Sequence, residues 1–451
     1  MTARLLAGAL LGHVTALVVV AGRVDAQPAP SEQATPTTET ADGDVRAELA
    51  AQAAAIERLR IELEAQKARR ERPPLVLSGY GQVDWVVHNQ TSQDDVNHST
   101  NLPLNQDRFT LRRGHLRLDA RDDFVSGALE IDVNTTSGAQ VRPIDAELSV
   151  RWPGDREPDA PHAMASVGLM KIPFGFEVPE LDHVRPFLER SNVMRALFPG
   201  EFDLGARVQA GYRSFEGAIA VMNGSPIGSK VFPALAPTQS KDVIGRLGVG
   251  VDVVPGIRWE AGVSAEAGRG FHEGTPTTKD QVVWRDENGD GIVQATEIQI
   301  VPGTSATASQ TFRRFAVGGD ARLIVHFEPL GDLALRAEVA RAENLDRGIE
   351  YADPVGAGHD LREWGWYLGF TQELTPWAVV GARYDRYDPD QDASEQRAAN
   401  LVPSDRTYST WALMAMLRYK KRARLLVEYD HNGNALGRDA SGAPTTVRST
   451  C

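Results

Sequence analysis

The sequence predicts an all-β protein, a closed antiparallel transmembrane β-barrel of about 16 strands preceded by a short coiled-coil helix. The first observation is an alternation of apolar and polar residues that begins after Pro74. In GIRWEAGVSAEAGR the apolar positions are Ile257, Trp259, Ala261, Val263, Ala265 and Ala267. The second is that tight turns such as VVPGI alternate with long connections such as 269–311 and 344–360. Short turns at one end and long loops at the other are typical of outer-membrane barrels.

The alternating segments also predict where the strands lie. They begin near residues 75, 107, 125, 143, 163, 205, 215, 242, 256, 312, 332, 361, 377, 405 and 422. TTVR, near the C-terminus, predicts one more strand. An even number close to 16 is the natural count for a barrel that closes on itself.

Charged residues at alternate strand positions favour a barrel over a soluble β-sandwich. In a sandwich these side chains would be buried in the core without partners, which is costly. A barrel of this size cannot fill its lumen with side chains, so its polar face lines water and its apolar face contacts lipid. We therefore expect outer-membrane lipid on the outside of the sheet.

The N-terminal part divides into three predicted segments before the barrel domain 73–451. Residues 1–26 read as a cleaved signal peptide, with a transmembrane anchor as the alternative. Residues 27–43 are a polar linker of disordered composition, and residues 44–72 predict a periplasmic coiled-coil helix. Its seam positions are Val45, Leu49, Gln52, Ile56, Leu59, Leu63 and Gln66. This helix is either a self-associating stalk, which could reach the cell wall, or a solvated single helix.

Composition excludes several classes of function. A net charge of −13 and the absence of a basic run argue against nucleic acid as a partner. The single cysteine, Cys451, excludes an intramolecular disulfide framework. The sequence contains no GxSxG, HExxH or P-loop string, so we predict that the protein is not an enzyme. No cofactor is required by this reading.

One motif inside the connection 269–311 predicts a calcium site. DENGDGIVQATE, residues 286–297, has the spacing of a 12-residue calcium loop. The expected ligands are the side chains of Asp286, Asn288, Asp290 and Glu297 and the carbonyl of Ile292. The flanking QVVW and IQIV are β-branched, so the loop joins strands and is no EF-hand. The alternative is a polar loop that contains Asn-Gly and Asp-Gly turns.

Several strings, in order, resemble the phosphate-selective porin O and P family. They are LSGYGQVDW, FTLRRGHLRL, KIPFGFE, FLERS, LFPGEFDLG, MNGS, GWYLG and GARYDRYDPD. The resemblance spans nearly everything after Pro74 and implies a 16-stranded homotrimeric porin in the outer membrane. It also implies that an extracellular loop, here 171–195, folds inward and narrows the channel.

The resemblance and the location of charges give the candidate pore residues. Arg112 and Arg113 match an arginine pair of the family's strand. Further candidates come from their place in the constriction segment or on the lumen face, and these are Arg117, Lys171, Arg185, Arg190 and Arg195. The alternative for the loop residues is that they are solvated, or are ion-pair partners of Glu177, Glu180 and Glu189.

The predicted function is a water-filled channel for small anionic solutes, with phosphate as one candidate. Guanidinium groups can replace part of an anion's hydration shell by forked hydrogen bonds. Against strong selectivity stand seven acidic residues on the predicted lumen face: Glu130, Asp132, Asp145, Glu147, Asp252, Glu260 and Glu338. The alternative is a non-selective or structural barrel that is tethered to the cell wall through its coiled coil.

Overall fold

The computed structural model describes most of the predicted barrel domain. The described residues are 13–19, 56–60, 75–87, 107–122, 124–136, 138–152, 162–228, 239–397, 399–420, 422–434 and 448–450. The predicted linker 27–43 lies outside them. Residues 56–60 are helical, and the rest of the predicted coiled coil is outside the described residues.

Fifteen antiparallel strands, each hydrogen-bonded to the next, form the main sheet. We number the strands in chain order, with β1 (His13–Val19) first. The fifteen are β2 (Leu75–Val86), β3 (Arg108–Arg121), β4 (Val125–Asn134), β5 (Gln140–Trp152), β6 (His162–Lys171), β7 (Phe202–Tyr212), β8 (Phe215–Met222), β9 (Asp242–Val254), β10 (Ile257–His272), β13 (Gln310–Phe327), β14 (Gly331–Glu343), β15 (Arg362–Thr375), β16 (Ala378–Asp388), β19 (Tyr408–Tyr419) and β20 (Ala423–Asn434). Each lies where the sequence alternation predicts a strand.

Two short strands lie at the ends of this meander. β1 pairs antiparallel with β2 on one side and with β20 on the other. It falls inside the predicted signal peptide, which the structure does not test. β21 (Arg448–Thr450) also pairs with β20, with Thr450 opposite His431. β21 begins at Arg448, the last residue of the predicted TTVR strand, and the other three residues of that string lie outside the described residues.

The sheet is apolar on its outer face and polar on its inner face. On β10, Val263 is 61% exposed, whereas its neighbours Ser264 and Glu266 are 6% and 2% exposed. The same alternation leaves Leu247 and Ile219 exposed while Asp320 is buried. A soluble protein would bury the aliphatic face, so this inverted pattern suits an apolar solvent outside the sheet.

The connections separate into two ends, as predicted. β7–β8, β9–β10, β13–β14, β15–β16 and β19–β20 are joined by tight turns at one end. At the other end lie long connections, which include 172–201, 223–241, 273–309, 344–361 and 389–407. Two of these contain short helices, α1 (Asn192–Leu197) and α2 (Pro354–Ala357), and two contain small hairpins, β11–β12 (Gln281–Trp284 and Ile298–Val301) and β17–β18 (Ser394–Arg397 and Asn400–Pro403).

An apolar cluster lies inside the sheet, between the 172–201 connection and one arc of the wall. Phe174, Met194 and Phe198 of the connection are 0–1% exposed. They belong to the same buried cluster as wall residues such as Ala316 of β13 and Tyr387 of β16. No described helix is long and apolar enough to span a bilayer.

Candidate pore constriction

The connection between β6 and β7, residues 172–201, is called the inner loop here. Pro173 and Pro179 lack the N–H groups that strand pairing needs, so the chain leaves the sheet after Lys171. Hydrogen bonds join the loop to β14, β16 and β20, which lie on the inner face of one arc of the wall. The loop therefore packs against the inner face of the sheet, and it extends to residue 201 rather than 195.

Carboxylates on the wall hold the backbone of the inner loop. Oε1 of Glu338 accepts from the N–H of Glu177 at 2.8 Å and from that of Phe176. Oε2 of Glu428 accepts from Leu188 N at 2.9 Å. A loop has no ladder to satisfy its N–H groups, and a buried N–H without an acceptor costs about 1–3 kcal/mol. These acidic residues therefore fix the loop's position.

Three of the predicted pore cations form ion pairs with Glu201, the last residue of the inner loop. Glu201 lies within 2.8–2.9 Å of Arg185, Arg190 and Lys171. Arg185 is 2% exposed, and Arg190 also donates to the carbonyls of Met194, Phe198 and Pro199. The alternative of ion pairing is thus supported for these residues, but their common partner is Glu201, which lies outside the predicted segment.

A cavity of about 260 Å³, called the passage here, lies between the inner loop and the wall formed by β3, β4 and β5. Five arginines and four carboxylates line it: Arg112, Arg113, Arg142, Arg190 and Arg195, and Asp132, Asp182, Glu189 and Glu201. Uncharged lining residues include Asn134, Thr136 and Ile144. The passage is polar and carries an excess of guanidinium groups.

A bulge brings the two consecutive arginines of β3 to the same passage. In a regular strand Arg112 and Arg113 would point to opposite faces. The β2–β3 register shifts between Gln82 and Val83, so one extra residue is inserted on β3. Both side chains then line the passage.

Both arginines contact carboxylates of the inner loop. Arg113 Nε lies 3.0 Å from Oδ2 of Asp182, and Arg112 pairs with Glu189. Burial alone would raise the pKa of Glu189, but Arg112 and Arg113 outweigh it and lower that pKa to about 2. In the same way Arg113 and Arg185 hold the pKa of Asp182 well below its ordinary value despite burial. The two contacts attach the inner loop to Arg112 and Arg113 on β3.

Arg195 differs from the other cations of the passage. It is exposed at the start of the last turn of α1 and, among the described side chains, no carboxylate lies within ion-pair distance of it. Arg142 is also incompletely neutralised, with its Nε 3.7 Å from Asp132 and its side chain 43% exposed. Among the five arginines of the lining, these two guanidinium groups are the least neutralised by described carboxylates.

Each of the acidic residues that argue against anion selectivity contacts a cation or a backbone N–H group, although Asp132 itself lines the passage. Arg117 binds Glu130 at 2.8 Å and Asp145 at 2.7 Å, on β3 to β5 below the passage. Arg207 pairs with Glu147, Arg258 pairs with Asp252 and Glu260, and Asp132 faces Arg142. Glu338 holds the inner loop. The predicted role of Arg117 as a lumen residue fits its inward side, but its charge is balanced.

Sequence reasoning missed a second inward connection, residues 344–352. Arg347 N donates to the carbonyl of Ala196 in α1 at 2.9 Å, and its side chain pairs with Glu266 of β10. Glu363 of β15 accepts from the N–H groups of Leu345 and Asp346 at 2.8 Å. Gly348 and Ile349 line the passage. In the sequence only the length of this connection was visible.

The predicted calcium loop forms the tip of the β11–β12 hairpin. Asp286 accepts from Gly289 N and Gly291 N at 2.7 and 2.8 Å, and both glycines have positive φ. Asn288 and Asp290 accept from backbone N–H groups two residues further on, and Ile292 N is one of these donors. Oε2 of Glu297 accepts from Trp284 Nε1 at 3.0 Å. Over the described residues, no three acidic, histidine or cysteine side chains converge as a metal would require.

The sequence matches no protein-family model and no curated protein. Among solved structures, the outer membrane channel DcaP of Acinetobacter baumannii aligns with a TM-score of 0.48 at 12% identity, over 84% of this chain and 95% of that one. The trimer form of OmpT, an outer membrane protein of Vibrio cholerae, gives 0.45 at 10% identity, over 84% and 95%. OpdK of Pseudomonas aeruginosa with vanillate gives 0.34 at 8%, over 80% and 90%. TM-scores below 0.5 and sequence identities of 8–12% do not assign the chain to a family.

Proposed function

We propose that the protein is an outer-membrane barrel that conducts small anions through the passage between its inner loop and β3–β5. The single observation that supports this most is the polar 260 Å³ passage with five arginines beside a sheet whose outer face is apolar. Several shallow guanidinium sites in series would attract an anion without trapping it. The proposal includes no catalytic step.

Small anions, phosphate included, are the proposed cargo. Among the described residues Arg195 has no ion pair and Arg142 has only the 3.7 Å contact with Asp132, so both keep forked donors that suit oxyanions. The carboxylates of the lining are held by other cations, so they repel an anion less than bare charges would. Membership of the phosphate-selective family stays a prediction.

Planar-bilayer recording tests both the pore and its cargo. Purified protein should give single-channel currents in chloride, with a reversal potential in a salt gradient that reports anion preference. Added phosphate should reduce the chloride current if phosphate binds in the passage. A barrel that inserts but conducts nothing would favour the structural tether, in which the helix near 44–72 reaches the cell wall.

We propose that the sheet closes as a 16-strand barrel. β2 and β20 are the first and last of the fifteen antiparallel strands, so they run in the same direction. A sheet that closes therefore needs one more strand, of opposite direction, between them. β1 does this here, and β21 pairs with the same edge of β20. We expect the C-terminal segment to take this position once the leader is removed.

Refolding tests the closure proposal. A chain that begins at residue 27 should reach a folded, heat-modifiable form, and deletion of residues 440–451 from that chain should prevent it. Deletion of residues 27–43 is the matched control and should have no effect. Equal folding with and without residues 440–451 would contradict a closing role for this segment.

We propose two assembly and ligand properties that the resemblance and the calcium motif suggest. A homotrimer is consistent with the apolar outer ends of β2–β4, where Trp85 stacks on Phe109 at 5.5 Å. Sedimentation in detergent measures the trimer directly.

Ca²⁺ would bind residues 286–297 if Glu297 leaves Trp284 to become a ligand. Calorimetry with Ca²⁺ should show binding that Glu297→Gln removes and Glu287→Gln keeps.

A further inference from the structure

Five arginines occupy outward positions at the long-loop ends of five consecutive strands. They are Arg269 on β10, Arg313 on β13, Arg341 on β14, Arg362 on β15 and Arg386 on β16, and all are exposed. Each lies on the same side of its strand as the exposed apolar residues, for example Val263 on β10 and Val339 on β14. We call this set the arginine arc.

The arc is local to one side of the sheet. Corresponding outward positions near the same ends of seven other strands are apolar, and these are Trp85, Phe109, Val133, Val141, Leu204, Val221 and Val243. The inner face of β13 shows the opposite arrangement, because Arg314, next to Arg313, points inward to Asp242 at 2.9 Å. The charges of the arc are therefore directed away from the polar interior.

Like charges face one another within the arc. Arg269 and Arg313 are directly opposite in the β10–β13 register. Two like charges at such a position destabilise a strand pair unless something neutralises them. Over the residues that the structure describes, no carboxylate forms an ion pair with Arg269, Arg313 or Arg341. Arg362 pairs with Asp392 and is opposite Glu343 in register, and Arg386 lies near Asp388 and Asp405.

Aromatic and aliphatic residues continue the outer face below the arc. Trp364 is opposite Arg341 in register, and Trp366 is opposite Arg386. Trp366, Tyr384 and Trp411 form a row, with ring centroids 5.4 and 4.6 Å apart. Leu368 and Phe370, further toward the middle of β15, are 57% and 42% exposed. Tryptophan and tyrosine rings at this height mark the headgroup level of a membrane.

We propose that the arginine arc binds the phosphate-bearing headgroups of lipids in the outer leaflet. The inference rests on the membrane location proposed above but not on conduction. Guanidinium groups at headgroup height can donate forked hydrogen bonds to lipid phosphates, and the acyl chains then lie on the apolar residues below. The phosphates would separate the opposed charges of Arg269 and Arg313. The opposite side of the barrel would lack such lipid.

Lipid selectivity in vesicles tests the proposal. The protein is reconstituted in phosphatidylcholine, and its tryptophan fluorescence is quenched by brominated phosphatidic acid or by brominated phosphatidylcholine at equal mole fraction. We expect a preference of about tenfold or more for phosphatidic acid, since each cation near the surface adds to the attraction. The preference should fall as salt rises, because exposed charges are screened.

Two charge-matched variants locate the site. Arg269→Gln with Arg313→Gln and Arg341→Gln should abolish the preference. Arg213→Gln with Lys420→Gln and Arg422→Gln removes the same charge at the tight-turn end and should keep it. Both variants should retain the wild-type reversal potential, so failure of this inference is separable from failure of the channel proposal.

Three results would overturn the inference. One is a wild-type protein without preference for phosphatidic acid. Another is an equal loss of preference in the two variants. The third is loss of the preference when inorganic phosphate is added at a matched concentration, because that would assign the arc to soluble phosphate and not to lipid.

Discussion

The two faces of the inner loop differ although they belong to one short segment. On one face Phe174, Met194 and Phe198 pack against β8, β9, β13, β14 and β16 in a buried apolar cluster, and wall carboxylates hold the backbone. On the other face Asp182, Glu189 and Arg195 meet the arginines of β3 across an open passage. The first face has the packing of a protein core, whereas the second leaves guanidinium groups in contact with water.

The difference teaches that charge inside a barrel does not identify a pore residue. Arg185 and Arg195 lie ten positions apart on the same loop, yet one is buried in ion pairs and the other is exposed with no ion pair to any described residue. Burial with partners makes an arginine a structural element, because breaking a buried pair leaves an uncompensated charge. Exposure makes it available to a solute.

The largest expected effect follows from this contrast. Arg185→Met should destabilise the protein by about 3–5 kcal/mol, because Glu201 and Asp182 lose a buried partner. Arg195→Met should change stability by less than about 0.5 kcal/mol, as is usual for an exposed residue. Urea unfolding of the refolded barrel measures both. Equal losses would show that the two faces are not distinct.

Next in size is the effect of removing a wall anchor. Glu338→Ala leaves the N–H groups of Phe176 and Glu177 without their acceptor, at a cost of about 1–3 kcal/mol. A loosened inner loop should give larger and noisier single-channel currents. Glu343→Ala, on the outward side of the same strand, is the control and should leave the currents unchanged.

Removing the β3 pair should change selectivity, in addition to the stability lost when Asp182 and Glu189 lose their partners. Arg112→Gln with Arg113→Gln should lower the anion-to-cation permeability ratio by about threefold to tenfold, since charges near the ion's path contribute ~1 kcal/mol. Reversal potentials in a salt gradient report the ratio. Arg269→Gln with Arg313→Gln removes the same charge from the outer face, and an equal shift there would contradict a role for the pair in the passage.

The smallest expected effect is a pH dependence of the anion preference of the passage. The pKa of Glu189 is lowered from 4.5 to about 2, so its carboxylate stays charged through ordinary acid conditions. The contribution of the Glu189–Arg112 ion pair to folding stability is fully present above pH 4.5 and is lost as the pH falls through about 2. Anion preference should therefore rise only at the acid limit of that range. Glu189→Gln should give the same rise at pH 7, and no change there would separate Glu189 from selectivity.

Much of the fold was predictable because alternation has a direct physical cause. A sheet with lipid outside and water inside must alternate, and turns must interrupt it. β1 was not predictable as a strand, because the apolar run HVTALVV suits a signal peptide and a strand equally well. Composition cannot separate these two.

The site was predictable only in part, because three features depend on register and packing. The bulge that turns Arg112 and Arg113 to one passage arises from the β2–β3 pairing. Glu201 pairs with Lys171 across 30 residues of sequence, a contact that no local pattern indicates. No local pattern indicates the contact of Glu338 either. Its charge at an inward position predicted a residue that lines the pore, but its carboxylate accepts a hydrogen bond from the inner loop.

Cysteine accessibility tests the central claim most directly, because the chain has a single cysteine to remove. In a Cys451→Ser background, Arg195→Cys should react with a water-soluble methanethiosulfonate and lose current. Val339→Cys, exposed on the outer face, should lie in lipid and leave the current unchanged. If Arg195→Cys is inert while the channel conducts, ions take another path, and the passage beside β3–β5 is not the pore.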